Sequence, residues 1–558
     1  MSQSGFPVGF DRQSRERQMF PALNAAQIRR MRPFGHEESF PAGTLLWDQG
    51  DDAPFYVVLE GQLEVVHPFG AAEHPVVVHE AGQFNGEMSM LFGRRALVRG
   101  RAKTALRTLR IEPARLQALV QTDSELSEIV MRAFILRRVG LLSEGWGDAL
   151  VIGSQSSAAT LRVQAFLMRN GQPYQYVDVD REPDLQSLLD RFHVRTEDIP
   201  ILICRGERVL KCPTDAEVAD CLGLNPSLDP AHVFDTIVCG AGPGGLAAAV
   251  YAASEGLDVI IVEGAVPGGQ AGGSSKIENY LGFPTGISGQ ALMARSVAQA
   301  QKFGARILVA RGAAKLHCDV TPFRLDLDGG ETLQARTIVI ATGAQYRKLE
   351  IPDLARFEGA GVYYAATFVE AQRCGTDEVI VVGGANSAGQ AATFLARSAS
   401  QVHMVIRGPD LAESMSRYLI RRIDEMPNIT LHRRTRIVGL SGVDQLEQVT
   451  WRDEATGSET TWPIRHVFSM AGAVPNTAWL DRCVALDGRG FVLTGSDLTP
   501  DALDKARWPL ARTPMLFETS QPRVFCVGDV RASSVKRVAS AVGEGSVCIQ
   551  LVHRVFAE

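Results

Sequence analysis

Apolar and polar residues alternate along the chain in four distinct ways, and each pattern predicts a different kind of element. From about 27 to 120, short runs such as TLLW, FYVVLE and QLEVVH alternate between turn glycines, which is the period of an antiparallel β-roll. Helical spacing follows from Glu112 to about Leu142 and closes that module. Between 147 and about 225 a smaller α/β pattern appears: ALVIGS, the helix TLRVQAFLMRNG, the strand QYVDVD, a further helix, then DIPILIC and ERVLKC. Beyond 233 two continuous apolar runs, FDTIVC and EVIVV, each lead into a glycine-rich turn, a small-residue helix and a second apolar strand. Prolines and a glycine in GLNPSLDP break both periodicities and mark the clearest boundary.

The first of these units, Phe234 to Glu263, has the Gly-x-Gly-x-x-Gly spacing of a dinucleotide-binding βαβ element. Gly240 permits the tight turn, Gly242 lets backbone approach a pyrophosphate, and Gly245 lets helix and strand pack closely. Glu263, at the end of the second strand, is placed for a ribose hydroxyl, and the helix start suits an anion. The second unit begins at Glu378 and carries Gly383-Gly384-Ala385-Asn386-Ser387-Ala388, so Ala385 stands at the middle glycine of the motif. Its second strand ends at Arg407 with no acid, which suits a 2′-phosphate and favours NADPH, with NADH left open and a merely solvated Arg407 as the bland alternative.

Composition narrows the function classes. With 558 residues there is room for three or four domains. A net charge of −6 gives no basic footprint for nucleic acid. No apolar run reaches the ~18 residues that span a bilayer, and MSQSGFPVGFDRQ has no apolar signal core, so a cytoplasmic protein without a membrane partner is expected. Nine cysteines, at 204, 212, 221, 239, 318, 374, 483, 526 and 548, form no C-x-x-C pair and no metal-ligand cluster; most are expected to be buried, reduced thiols, and no metal is expected.

Further motifs make the C-terminal part specific. GAGPGG, PGGQ at 267–270, IENYLGFP at 277–284, ATG at 341–343, GAVPNT at 472–477 and GDV at 528–530 occur in the order and spacing of the low-molecular-weight thioredoxin reductases, which residues 233–558 resemble. That resemblance implies FAD on the first unit, NADPH on the second, and a homodimer. The FAD domain would be split into 233–350 and 467–558 around a nicotinamide nucleotide domain at 351–466. It implies FAD contacts from Gly240, Gly242, Pro243, Gly244, Gly245, Glu263, Gly269, Gln270, Asn279, Ala341, Thr342, Gly343, Gly528, Asp529, Arg537 and Val538, with Lys536-Arg537 supplying a cation beside the flavin pyrimidine edge.

The departure from the family is as informative as the match. Where it has Cys-Ala-Thr-Cys-Asp, this chain has Ala365-Ala366-Thr367-Phe368-Val369. Disulfide reduction needs a thiolate, a partner sulphur and an acid, and none of these side chains supplies one. No catalytic side chain is therefore assigned. Hydride transfer to flavin is still expected, with electrons leaving directly to a small-molecule or protein acceptor, as in family members that serve ferredoxin or flavodoxin.

Two further resemblances complete the fold class, a multidomain chain of an N-terminal β-roll with helices, an α/β thioredoxin-like fold and two Rossmann-like three-layer domains. Residues 146–225 resemble a glutaredoxin or thioredoxin domain, with Ile199-Pro200 at the family's cis-proline and Ser157-Ala158-Ala159-Thr160 in place of C-x-x-C; Ser157 is expected to cap its helix. Residues 226–232 would be a linker. Residues 1–145 resemble a cyclic-nucleotide-binding domain through Gly43, Gly50-Asp51, Gly61 and Asn85-Gly86-Glu87. Gly86 and Glu87 would meet ribose and cyclic phosphate, with Arg95 neutralising the phosphate in a slightly misregistered segment. The alternative reading of the whole is a regulatory flavoprotein that senses redox state and a cyclic nucleotide, with turnover incidental.

Overall fold

A computed structural model describes residues 18–51, 53–69, 72–86, 96, 98–144, 149–154, 157–180, 198–204, 208–366, 368–443 and 445–558. The chain divides into two units. One comprises Met1–Ser154, Phe166–Leu228 and Ala298–Leu308, and the other Gln155–Ala165, Asp229–Val297 and Val309–Glu558.

In the first unit the alternating segments form β1 (His36–Phe40), β2 (Leu45–Trp47), β3 (Phe55–Glu60), β4 (Leu63–Phe69), β5 (Ala72–His79), β6 (Arg99–Ala102) and β7 (Leu106–Ile111). They pair antiparallel in two sheets, β1-β7-β3 and β2-β6-β4-β5, as the alternation predicts. After α1 (Ala25–Met31), which precedes the strands, the expected closing helix is in fact two, α2 (Pro113–Thr122) and α3 (Ser124–Glu144). The break has a local cause: the Asp123 carboxylate accepts the Leu126 N–H at 3.1 Å and so caps α3. Phe55, Phe84 and Phe134 meet with ring centroids 5.3–6.3 Å apart and join Leu116, Leu119 and Val130 in one core. Each such side chain contributes about 1.5–3 kcal/mol by leaving water.

The next segment forms β8 (Ala149–Gly153), β9 (Tyr174–Asp178), β10 (Ile201–Cys204) and β11 (Arg208–Lys211) in the order β11-β10-β8-β9, with β8 and β9 parallel and β10 antiparallel to both its neighbours. The Ile199–Pro200 bond is cis. Ser157 Oγ accepts the Thr160 N–H at 3.3 Å at the start of α4 (Ala158–Arg169), the capping role expected of it. α5 (Asp215–Cys221) opens on a capping box between Thr214 and Glu217. One expectation fails here: Cys204 and Cys221, far apart in sequence, are disulfide-bonded rather than reduced. Strand β10 and helix α5 bring them together, which their spacing alone does not reveal.

The second unit is built on β12 (Val233–Cys239), β13 (Val259–Glu263), β14 (Ala313–His317), β15 (Phe323–Leu327) and β16 (Thr332–Ile340), with α6 (Pro243–Ser254) after β12. β12 runs parallel to β13 and β16, while β14 and β15 form a hairpin on the early part of β16. The chain then passes through β17 (Ala344–Gln345) into a second parallel sheet made of β18 (Val362–Tyr363), β19 (Val379–Val382), β20 (Val402–Val405), β21 (Ile429–His432) and, after the antiparallel meander β22 (Thr435–Ser441), β23 (Gln448–Asp453) and β24 (Glu459–Trp462), β25 (His466–Ser469). Its order is β18-β25-β19-β20-β21. It returns through β26 (Val474–Pro475), which pairs with β17, to β27 (Val524–Cys526), parallel to β16, and ends in α10 (Val538–Ala557). Between them lie α7 (Phe368–Cys374), α8 (Asn386–Leu395) and α9 (Arg417–Glu425). Val379, Val381, Val402 and Met404 are fully buried, which is why these strands read as unbroken apolar runs.

Burial also sets a pH limit on the first unit. His79 on β5 is 2% exposed, and desolvation, aided by the nearby Arg137 guanidinium, pushes its pKa down to about 3. A histidine depressed in the folded state binds its proton mainly when unfolded. Stability is therefore full above about pH 6.5 and falls toward the folded value, by up to roughly 1.4 kcal/mol per pH unit. Denaturant titrations followed by Trp47 fluorescence between about pH 4 and 7 should show that slope, and His79→Phe should flatten it.

Candidate functional site

Four strands of the second unit end at one level. Cys239 is in register with Val262 on β13 and Ile340 on β16, and Ile340 with Cys526 on β27. Glu263, the Gly240–Gly245 turn, the Ala341–Gly343 turn and the Gly528–Asp529 turn therefore emerge side by side at the carboxyl ends of parallel strands, where such sheets bind ligands.

Gly240 has φ +108, and a β-carbon there would lie 2.4 Å from the Ala341 carbonyl oxygen. A β-carbon on Gly245 would lie 1.9 Å from the Gly240 carbonyl oxygen. Gly242 differs, since nothing lies within 4 Å of its missing β-carbon. That opening, at the N-cap of α6 with Pro243 as its first residue, leaves room for a cradle in which backbone N–H groups could hold a phosphate. Gly244 and Gly245 are buried in α6, and Gly244 faces the Ala541 carbonyl of α10. The Glu263 carboxylate accepts the Ala241 and Ala265 N–H groups at 2.8 and 3.0 Å, which fixes it beside the turn.

Of the other flavin candidates, Gly269 packs on this turn and Ala341 and Thr342 lie against Gly240. Gly269 (φ +53) approaches Gly242, with a β-carbon position 3.1 Å from the Gly242 Cα, and Gly268 donates to the Ala241 carbonyl. Gln270 Nε2 donates to the Ala344 carbonyl at 2.5 Å. Thr342 Oγ1 donates to the Asn476 carbonyl (2.7 Å) and Asn476 Nδ2 to the Thr342 carbonyl (2.9 Å), so the returning chain is bolted to the turn that ends at Gly343. The Gly528 N–H donates to Glu544, which also holds Arg531. Asp529 is mostly buried, and desolvation holds its carboxyl above the usual range against the pull of Lys536. Asn279 is exposed.

Lys536 lies in the loop that follows the Gly528–Asp529 turn. Its ammonium donates to the Asp529 carbonyl, the Arg531 carbonyl and Ser534 Oγ, and lies 4.5 Å from the Phe491 ring centroid. All three protons are committed to holding the loop, and burial pushes its pKa down. The exposed Arg537, N-cap of α10, and Val538, its first residue, remain at the helix start.

The second cradle is built alike. Val382, Val405 and His432 end β19, β20 and β21 in register. Gly383 follows with φ +136, where a β-carbon would meet the Met470 carbonyl oxygen at 2.8 Å. Gly384 accepts Ser414 Oγ, Ala385 is the N-cap of α8, Asn386 Oδ1 accepts the Ser416 N–H, Ser387 contacts the Tyr346 phenol, and Ala388 is buried. Arg407 lies two residues past β20 and is exposed. A β-carbon on Gly273 would lie 3.7 Å from that of Ala365, so the Ala365–Ala366 run sits against the segment that follows Gln270. Arg422 on α9 pairs in bidentate fashion with Glu278 at 2.6 and 3.2 Å across the same boundary. Neither Glu544, Asn476, Tyr346 nor this ion pair was singled out from sequence; only Asn476 carries a signal, inside GAVPNT.

In the first unit, Gly43, Gly50, Gly61 and Gly86 all take positive φ. Asn85 is buried and holds the Tyr56 N–H and the Pro54 carbonyl, while the Gly86 carbonyl accepts Arg137 at 2.8 Å. Arg99 is paired with Asp48 and Glu73, and Arg101 with Glu64 and Glu73. Glu87 and Arg95 lie outside the described residues.

The glycine geometry separates packing from ligand approach. Gly245→Ala should lower stability by about 2 kcal/mol or more through overpacking. Gly242→Ala should leave the melting temperature nearly unchanged while weakening dinucleotide retention; comparing melting with cofactor content of the two proteins checks this.

Comparison with known proteins agrees with this geometry. Residues 234–545 match the pyridine nucleotide-disulphide oxidoreductase model, and residues 37–123 the cyclic nucleotide-binding domain. Thioredoxin reductases of Listeria monocytogenes and Bacillus subtilis are 31% and 30% identical over 334 and 333 residues, covering 58% of this chain and 95–96% of theirs. The crystal structure of the T. acidophilum thioredoxin reductase aligns with a TM-score of 0.51 at 26% identity, over 58% of this chain and 99% of that one. The Lactococcus lactis enzyme aligns with the same TM-score at 25% identity, over 57% and 98%. The chain thus belongs to the pyridine nucleotide-disulphide oxidoreductase family, as a thioredoxin reductase-like FAD/NAD(P)H oxidoreductase that carries a cyclic nucleotide-binding domain ahead of its dinucleotide-binding lobes.

Proposed function

We infer that this oxidoreductase takes hydride from NADPH and delivers electrons straight to an external acceptor, without an internal disulfide. The observation that carries the reading is Ala365, which stands where the family's first redox cysteine would be and lies against Gly273, beside Gln270. Its methyl group neither accepts nor relays an electron pair. Phe368 and Val369 replace the second cysteine and the acid, and their side chains lie outside the described residues.

The residues present fit both dinucleotides. Gly242 and the α6 start would hold the FAD pyrophosphate, Glu263 the adenosine ribose and Asp529 the ribityl chain; Gly269, Gln270 and the Ala341–Gly343 turn would lie along the flavin. Bound FAD would supply two-electron acceptance from the nicotinamide and onward transfer to the acceptor. Gly383–Ala388 would hold the NADPH pyrophosphate and Arg407 its 2′-phosphate. Arg537, with Lys536 beside it, would place a cation at the start of α10. No side chain need act as nucleophile, so residues bind, orient and exclude water.

A second reading is favoured by the N-terminal domain itself: a regulatory flavoprotein in which cyclic nucleotide binding, involving Gly86, Glu87 and Arg95, alters NADPH affinity. Coupling of that kind is reciprocal. The middle segment, with its mixed sheet and cis-Pro200, serves in either reading as a thioredoxin-like docking or spacing element without dithiol chemistry at Ser157–Thr160.

Anaerobic titration with NADPH and with NADH, following flavin absorbance with and without cyclic AMP, tests both. NADPH should bleach the flavin, and ferredoxin, flavodoxin or a quinone should restore its absorbance while oxidised thioredoxin does not. Fast reoxidation by thioredoxin would overturn the disulfide-free route, and bleaching without any effective acceptor would favour the regulatory one. Arg407→Ala should weaken NADPH binding about tenfold, as expected for loss of a charge-assisted phosphate contact, and leave NADH unaffected.

A further inference from the structure

Two disulfides form in this chain, and they differ in what can reach them. Cys204 and Cys221 are 2% and 8% exposed, sealed in the core of the middle segment. Cys318 and Cys483 are each only partly buried and join residues 165 apart. Cys318 follows β14 directly; Cys483 lies three residues past the short 3₁₀ turn Ala478–Leu480. The loop this bond closes contains the entire second dinucleotide lobe.

The backbone beside Cys483 is costly. Asp481 (φ +40) and Arg482 (φ +67) are successive non-glycine residues in the left-handed region, which L side chains disfavour and which persists only where the surroundings over-determine it. Here the surroundings are the disulfide, the Cys483 N–H to Leu480 carbonyl bond (2.8 Å) and the Lys315–Asp481 ion pair (3.3 Å). On its other side the same turn is anchored through Leu480 N–H to Thr477 and Trp479 Nε1 to the Asn476 carbonyl. Asn476 is the residue bolted to Thr342 in the candidate flavin site. A continuous run of bonded residues therefore connects the Cys483 sulphur to the ATG turn.

We propose that Cys318–Cys483 is a thiol–disulfide exchange site at which a dithiol partner sets how firmly the second unit holds its flavin. The proposal rests on the FAD reading of that unit. The Leu316 carbonyl oxygen lies 3.1 Å from Cys483 Sγ, where it disfavours a thiolate on Cys483 and suits a protonated thiol. Cys318 is accordingly the leaving sulphur. A partner thiolate attacks Cys483 Sγ, the bond to Cys318 breaks, and Cys318 departs as a thiolate that takes a proton from solvent. The partner's second thiolate then attacks the mixed disulfide and frees Cys483 as a thiol. The partner leaves as a disulfide, having given two electrons to the protein. With the loop open, the Asp481–Arg482 turn relaxes and Asn476 loosens from Thr342.

Air-oxidised holoprotein, treated with dithiothreitol or left untreated, is differentially alkylated and mapped by mass spectrometry, with FAD release followed by fluorescence and melting temperature recorded. Dithiothreitol should open Cys318–Cys483 before Cys204–Cys221, quicken FAD release and lower the melting temperature, since opening a long closed loop returns entropy to the unfolded chain. The double variant C318S/C483S should release FAD at the fast rate with or without dithiothreitol, whereas C204S/C221S should keep the response. If the double variant does not fold, reduction of the wild type decides alone. Free thiols at Cys318 and Cys483 in the untreated protein, or opening of the bond with release and melting unchanged, overturns the proposal. Protein purified without FAD would remove the FAD reading, and alkylation with the melting shift would still decide whether the exchange site exists.

Discussion

Strand β16 is the element on which the second unit depends. Its early residues take the β14–β15 hairpin, and Ile338–Ile340 take Val524–Cys526 from the far end of the chain. Without that second pairing the two halves of the first dinucleotide lobe would not form one sheet. The register then does the chemical work: because Cys239, Ile340 and Cys526 stand level, the turns after them open toward one point. A one-residue slip would reverse the facing of every side chain on β27 and move Gly528–Asp529 away from the cradle. The fully buried Val524, Phe525 and Cys526 oppose such a slip, since each would have to exchange its packed neighbours for others.

Close backbone approach is the second constraint, and it explains why glycines could be read from the sequence with such resolution. Gly240 and Gly245 are required by protein against protein, with carbonyl oxygens 2.4 and 1.9 Å from where a β-carbon would stand, whereas Gly242 is left open by the protein. Motif spacing alone assigned these three roles, because the turn, the ligand approach and the helix packing each impose their own residue. Arg407 stands two residues past the end of β20 and is exposed. The split of the helix at Asp123 was not legible in the sequence, because the apolar period runs through it and only the Asp123–Leu126 cap reveals the break. Nor were the disulfides: a cysteine's partner is set by tertiary neighbours, and Cys318 and Cys483 meet only because β14 and the segment after β26 share one lobe. The three acceptors that hold Lys536 in its loop likewise have no sequence signature.

The contacts between the two lobes of this unit include an ion pair and a close approach of small residues. Glu278, kept below the usual carboxylate range chiefly by Arg422 and also by Lys276, supplies the ion pair, and Ala365 and Gly273 supply the close contact. A pair of this kind is worth about 1 kcal/mol or less when water reaches it. It can therefore hold one arrangement of the lobes without forbidding another. The chain passes between the lobes only through the two-residue strands β17 and β26, a narrow ribbon that adds little resistance of its own.

On the disulfide-free reading proposed above, that arrangement would accomplish something different. In a disulfide reductase, contact between the 365 turn and the flavin segment is productive, because the turn carries the electrons away. In this chain the same contact joins a methyl group to a glycine, and it covers the segment without conducting anything. On the proposed reading, reduction by nicotinamide and oxidation by an acceptor would both use a face of bound flavin that the turn leaves free. The weak ion pair and narrow ribbon would permit that departure, and on the proposed reading residues 365–369 would leave catalysis to the motion of the lobes rather than to side-chain chemistry.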